Sequence, residues 1–268
     1  MSRISVTNLW KEYPGQVVLE RVSLEIASGE FCALVGPSGC GKTTFLRMLL
    51  GEESPTRGTI ELDGKPLVAE PGPDRGVVFQ RYSVFPHLTV LQNVIIGREF
   101  ERSRFLGKLF GRERRAAEQE ASGILETVGL SAHRDKYPAE LSGGMQQRLA
   151  ISQALIRKPK VLLLDEPFGA LDAGTKAQMY ELLLGLWDKH KMSIFMVTHD
   201  LKEGFTLATR VLAFDKVRVD PQEPGAYGAT VTYDLPLEAK IAARREAALH
   251  APEPVSEPSP AVSLVPVT

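Results

Sequence analysis

From residue 36 to residue 44 the chain reads Gly-Pro-Ser-Gly-Cys-Gly-Lys-Thr-Thr: glycines, then an amine, then two hydroxyls. Glycine at 36, 39 and 41 frees the backbone of Cβ crowding, so its N–H groups can turn inward around an anion. Lys42 adds a positive charge that reaches phosphate oxygens, and Thr43 a hydroxyl suited to Mg²⁺. The stretch Gly36, Pro37, Ser38, Gly39, Cys40, Gly41, Lys42, Thr43 and Thr44 is therefore a candidate phosphate loop for a nucleotide. A second group is Asp165-Glu166. One acid is placed for the shell of a divalent cation and the other to take a proton from an attacking water. His199 follows another apolar run and is placed to touch a γ-phosphate. In a third group, Ser142, Gly143 and Gly144 open an apolar-periodic helix, which makes a second helix start able to receive phosphate.

Each group needs an element to carry it. Phe31–Val35 is an apolar run that predicts a buried strand before the loop, and 45–50 predicts the helix after it. Val161–Leu164 reads as a central strand delivering Asp165 and Glu166 to its carboxyl end. Ser193–Val197 predicts the strand that ends at Thr198 and His199, and Arg210–Asp215 one more. Between them, 173–190 has Met179, Leu182, Leu183, Leu186 and Trp187 on one helical face, a core-packing pattern. Residues 1–30 alternate apolar and polar positions, as two half-buried strands joined by the turn Tyr13-Pro-Gly-Gln16. Tyr13 either packs locally there or offers a platform for an adenine ring. Strands are expected over 58–64 and 75–80, with Gln80 at the sheet's carboxyl edge. Helical spacing returns over 88–96 and 113–128. The intervening 97–111 interleaves Arg98, Arg102, Arg104 and Lys108 with Phe100, Phe105 and Phe110. Such a stretch is a solvated basic face, or an amphipathic patch against anionic lipid or a partner.

The whole chain has 268 residues, 43% hydrophobic and 24% charged, enough for a substantial core. A net charge of −1 gives no general reason to expect nucleic acid. Cys32 and Cys40 lack metal-ligand spacing and fit a reducing compartment. No signal peptide and no bilayer-spanning run is visible, so a membrane role is expected through a partner. Beyond residue 215 the pattern weakens. A short Ala-rich helix is expected over 237–250, and the proline-rich 251–268 reads as a disordered tail.

Tyr13, the phosphate loop, Gln80, Leu-Ser-Gly-Gly at 141–144, Leu-Leu-Leu-Asp-Glu at 162–166, Ala-Leu-Asp at 170–172 and His199 resemble the ATP-binding cassette (ABC) ATPases in identity and order. Within that family, the runs 72–80 and 141–145 are similar to the nitrate/sulfonate/taurine importer ATPases. The resemblance implies an α/β fold: a P-loop NTPase (RecA-like) core with an N-terminal antiparallel β-subdomain and an inserted helical subdomain at about 81–140. It assigns 1–215 to the ATPase domain and 216–250 to a C-terminal extension. It also implies a head-to-tail homodimer. ATP would lie between one copy's phosphate loop and the other's Ser142, Gly143 and Gly144, with Asp172 also acting across the dimer. Thr43, Gln80 and Asp165 would hold Mg²⁺, Glu166 would be the general base, His199 would contact the γ-phosphate, and Tyr13 with Val18 would receive adenine. Met145 stands where many relatives carry Gln. The implied partners are membrane permease subunits docked on 81–140 and a secreted or periplasmic solute-binding protein, at the cytoplasmic face of the inner membrane. An ATPase of an exporter or lipid-extraction complex would share the same catalytic residues. A soluble non-transport relative would be expected to carry two cassettes or a long coiled coil.

Overall fold

The computed structural model describes residues 3–79, 84–102 and 108–237, side chains 101 and 102 excepted. Gln80, the middle of the basic stretch, the helix expected beyond Leu237 and the proline-rich tail lie outside the described residues.

β1 (Ile4–Tyr13) and β2 (Gln16–Ile26) form an antiparallel hairpin. Its two-residue turn is Pro14-Gly15, with Gly15 at φ +75°, a conformation glycine adopts without strain. β3 (Phe31–Val35) is buried throughout and leads through the glycine-rich loop into α1 (Lys42–Leu50). α1 thus begins three residues earlier than the apolar pattern alone places it, putting Lys42, Thr43 and Thr44 in its first turn. β4 (Arg57–Leu62) and the short β5 (Lys65–Pro66) turn at Asp63-Gly64 and complete a four-stranded sheet in the order β2-β1-β4-β5.

β6 (Arg75–Val78) is followed by α2 (Val90–Arg102), α3 (Gly111–Thr127) and α4 (Gly143–Leu155). Then come β7 (Val161–Asp165), α5 (Ala173–His190), β8 (Ser193–Val197), α6 (Leu201–Leu207), β9 (Arg210–Asp215) and β10 (Thr230–Pro236). The second sheet runs β10-β9-β3-β8-β7-β6, parallel except for β10. Parallel strands covered on both faces explain the unbroken apolar runs of β3, β7 and β8. Successive residues of β7 serve opposite faces. Leu163 joins Leu9, Phe45, Phe195 and Phe214 under the antiparallel sheet and α1. Leu162 and Leu164 join Phe31, Phe168, Leu183 and Trp187 on the other side. A third cluster, including Val94, Leu125, Leu141 and Leu149, holds α2 and α3 on α4.

Two departures from the sequence reading have physical causes. α2 starts at Val90 and runs on through Arg98, so the basic stretch begins as helix. There Arg98 bonds Glu120 at 3.1 and 3.2 Å and Arg114 bonds Glu99 at 2.9 Å, so acids supplied by α2 and α3 neutralise these two arginines. The sheet also continues past residue 215. β10 pairs antiparallel with β9, and both carboxylate oxygens of Asp234 accept from the Nε–Nη2 edge of Arg210 at 2.7 Å. The compact unit accordingly extends to Leu237. A half-exposed edge strand of Thr, Val, Tyr and Asp has little apolar periodicity to betray it.

Candidate nucleotide site

The carboxyl ends of β3, β8 and β7 lie side by side, because β3 pairs with β8 and β8 with β7. That adjacency gathers groups separated by more than a hundred residues. Val18, Ser38, Gly39, Gly41, Lys42, Thr43, Thr44, Glu166 and His199 line one cleft of about 310 Å³.

The loop's shape depends on its glycines. At Gly36, with φ +142°, an added Cβ would come within 2.1 Å of the Phe214 carbonyl oxygen. At Gly41, with φ +88°, it would meet Leu19 and Val18 side chains at under 3 Å. Val18, expected beside the adenine ring, packs directly on the loop at Gly41. Lys42 is buried, and its ammonium donates to the carbonyl oxygens of Gly36 and Pro37 at 2.8 Å each. Cys40 is buried beneath, its sulfur 3.6 Å from the same ammonium. These partners hold the lysine head against the loop's own backbone.

Thr43 donates its hydroxyl to Asp165 Oδ1 at 3.2 Å. Burial raises the Asp165 pKa above the ordinary carboxylate value, and the neighbouring charge of Glu166 adds to the rise. The residues fit Mg²⁺. Two hard oxygen donors stand apart by nearly the ~3 Å edge of an octahedron with 2.0–2.1 Å bonds. A cation would also offset the cost of Asp165's buried charge. Gln80, the third expected ligand, lies outside the described residues.

Glu166 continues the ladder one residue past β7, its N–H bonding Val197 O at 3.0 Å. It does so at φ +47°, a left-handed conformation that costs a non-glycine residue about 1–3 kcal/mol. The twist delivers its carboxylate to His199 Nε2, with which Oε1 is paired. A proton acceptor and an imidazole thus face the cleft together.

Tyr13, which does not line the cleft, is 40% exposed. Its hydroxyl donates to Glu53, and Lys11 Nζ stands 4.9 Å from the ring centroid. Burial raises its pKa, Glu53 raises it further, and a hydrogen bond with Thr44 acts in the opposite sense. Neither Glu53 nor Lys11 is among the residues singled out from sequence: nothing local signals the Tyr13–Glu53 contact across 40 positions, and Lys11, two residues from Tyr13, reads as an ordinary exposed strand cation.

The remaining candidates gather elsewhere. Ser142 caps α4, its Oγ accepting from Met145 N at 3.4 Å. Gly144 lies against Thr175, where a Cβ would come within 2.5 Å of Cγ2. Asp172 caps α5 and accepts from the Thr175 N–H at 3.0 Å and its hydroxyl at 2.6 Å. Those bonds hold the Asp172 pKa below its ordinary value. Ser142, Gly143, Gly144 and Asp172 thus belong to one neighbourhood, and none of them lines the phosphate-loop cleft of the same chain.

Comparison with known proteins agrees with this arrangement. The family profile described as "ABC transporter" matches residues 19–169. The nitrate import ATP-binding protein NrtD of Synechocystis sp. (strain PCC 6803) is 43% identical over 237 residues, covering 87% of this chain and 83% of the relative. From the same organism, the bicarbonate transport ATP-binding protein CmpD is 45% identical over 213 residues, 78% of this chain and 73% of the relative. Among solved structures, the dimeric bacterial ABC transporter cassette MJ0796 superposes with a TM-score of 0.69 at 30% identity, covering 87% of this chain and 98% of that one. The same cassette as a post-hydrolysis dimer bound to ADP and Pi gives a TM-score of 0.69 at 28% identity, with the same coverage. The fold is that of a P-loop NTPase cassette, and the chain belongs to the ABC transporter family of ATP-binding proteins.

Proposed function

We propose that the protein is the ATP-hydrolysing subunit of an importer for a small solute, working as a dimer of identical copies. The observation that carries this reading is the division described above. One cleft collects the phosphate loop, the acids and His199, while the Ser142–Gly144 helix start stands apart from it. Two copies placed head to tail bring the second surface onto the first, with ATP between them.

In the closed dimer the γ-phosphate lies between Lys42 and His199 of one copy and Ser142, Gly143 and Gly144 of the other. Thr43 and Asp165 would hold Mg²⁺, which would supply neutralisation of the phosphate charge. Glu166 Oε orients a water and accepts its proton as the water oxygen bonds to the γ-phosphorus. The bond to the β,γ-bridging oxygen breaks in line, and ADP and phosphate leave. Catalysis here is positioning and electrostatic stabilisation. Tyr13, with Val18 beside the loop, receives the adenine ring, and Asp172 acts across the dimer.

The membrane permease docks on the helical part between 81 and 140. A groove of about 430 Å³ at its border with the core, lined by Phe79, Phe85, Ile96, Phe100, Ala154 and Arg157 among others, joins the end of β6 to α2 and α4. Docking at that junction places the protein on the cytoplasmic face of the inner membrane as a peripheral subunit. A secreted or periplasmic solute-binding protein completes the complex. The cargo is a small solute of the nitrate, sulfonate or taurine kind, and the names of two relatives, nitrate and bicarbonate, support a small anion. The test is co-purification of the full chain with its permease, followed by ATPase assays with binding protein and candidate anions. Hydrolysis stimulated by one such anion is expected. Failure of the chain to bind any permease would contradict the transport reading.

A further inference from the structure

His199 sits in the three-residue turn Thr198-His199-Asp200, between β8 and α6. What fixes this turn is a carboxylate. Glu203, on α6, is only 5% exposed and receives three donors. Thr198 Oγ1 donates at 2.6 Å, Lys176 Nζ at 2.9 Å and Tyr180 OH at 3.0 Å. Thr198 Oγ1 also accepts from the Asp200 N–H at 3.0 Å, so one hydroxyl ties both sequence neighbours of His199 to the same acid. A buried carboxylate is costly unless its lone pairs are filled, so losing any one of these donors weakens the hold on the turn.

Two of the donors come from α5, which begins where Asp172 caps it. Thr175, held by Asp172 and packed against Gly144, directly precedes Lys176. Tyr180 lies one turn further, its ring edge-on to Phe168 at 5.0 Å, two residues beyond Glu166. Burial and Glu203 both raise the Tyr180 pKa, which keeps its proton available for donation. The His199 turn and the first two turns of α5 therefore share a single buried anchor.

We propose that Glu203 is a positioning residue for hydrolysis. It sets where His199 stands over the γ-phosphate and links that placement to the Asp172–Thr175 segment that faces the second copy. The inference rests on the reading of His199 given above.

The test uses the full chain, with kcat and KM for ATP, nucleotide binding and thermal midpoint measured for each variant. Glu203→Gln is expected to lower kcat about tenfold while KM changes by less than about twofold. On a His199→Ala background the same substitution is expected to add less than about twofold, because both changes remove one function. Thr198→Val should reproduce the kcat loss and Thr198→Ser restore it, which decides the matter if Glu203→Gln does not fold. A full tenfold loss added to that of His199→Ala would overturn the inference, as would wild-type kcat in Thr198→Val. Wild-type turnover in His199→Ala itself would instead remove the underlying reading of that histidine, and the inference with it.

Discussion

Two helix starts in this chain carry glycines and hydroxyls, yet their surroundings are opposite in kind. At the start of α1 the chain brings Lys42, Thr43, Asp165, Glu166 and His199 together. At the start of α4 stand Ser142, capping its own helix, and Gly144, pressed on the Thr175 that Asp172 holds. The two aspartates repeat the contrast. Asp165 is raised by burial, which the Thr43 hydroxyl and the charges of Arg47 and Lys42 offset only in part. Asp172 is lowered by the Thr175 hydroxyl and amide, so its charge is satisfied locally. On the proposed reading the first region takes the phosphates of a nucleotide together with a divalent cation. The second holds a shape, and on the proposed reading it gains a chemical use when a second copy brings a nucleotide to it.

The largest expected effect lies in the first region. Glu166→Gln keeps the shape of the side chain and removes the proton acceptor, so steady-state phosphate release should fall by about 10²–10⁴. ATP binding, measured directly, should persist. Unchanged turnover would take the base assignment away from Glu166 and blur the distinction between the two helix starts.

A smaller effect is expected at the second. Gly144→Ala drives a methyl group into Thr175, whose hydroxyl is committed to Asp172. Relief requires moving Thr175 or the start of α4, with an overpacking cost of about 1–3 kcal/mol. Urea unfolding should register this, while ATP affinity of a single copy stays as it was. A loss of that affinity would mean that the two regions are not separate.

The smallest effects are the opposite pH responses of the two aspartates. A carboxyl whose folded pKa is raised is more costly once ionised, so its contribution to stability falls as pH rises from the ordinary value of 3.8 through the folded one. Asp165→Asn, which can still accept from Thr43, should therefore unfold at a higher temperature than wild type at neutral pH without nucleotide, though it hydrolyses poorly. Asp172 works in the other direction. Its contribution is fully present above 3.8 and disappears as pH falls through its lowered value. Asp172→Ala should lower the unfolding midpoint slightly at neutral pH, and the gap should close in acid. Matching responses at both positions would contradict the contrast.

Much of this was readable from residue order because the chemistry is local. The phosphate loop, the strand before it and the acids after β7 announce themselves within a few positions, and α5, β8 and β9 have the expected bounds. Long-range polar contacts do not announce themselves. Glu203 occupies the third position after the α6 cap, where an acid reads as ordinary helix-start chemistry. Its partners lie on another helix and at the end of a strand. Glu53 finds Tyr13 only because β1 ends over the turn after α1. β10 escapes notice because an edge strand with one wet face need not alternate strongly.

The central claim is that nucleotide is held between two copies, each lending the helix start that the other's cleft lacks. The most direct measurement is the solution mass of Glu166→Gln with and without ATP, alone and combined with Ser142→Arg. The account predicts a dimer with ATP and a monomer without it for the single variant. It predicts a monomer under both conditions for the double variant, which should still bind ATP. A double variant that dimerises with ATP as readily as the single one would contradict it.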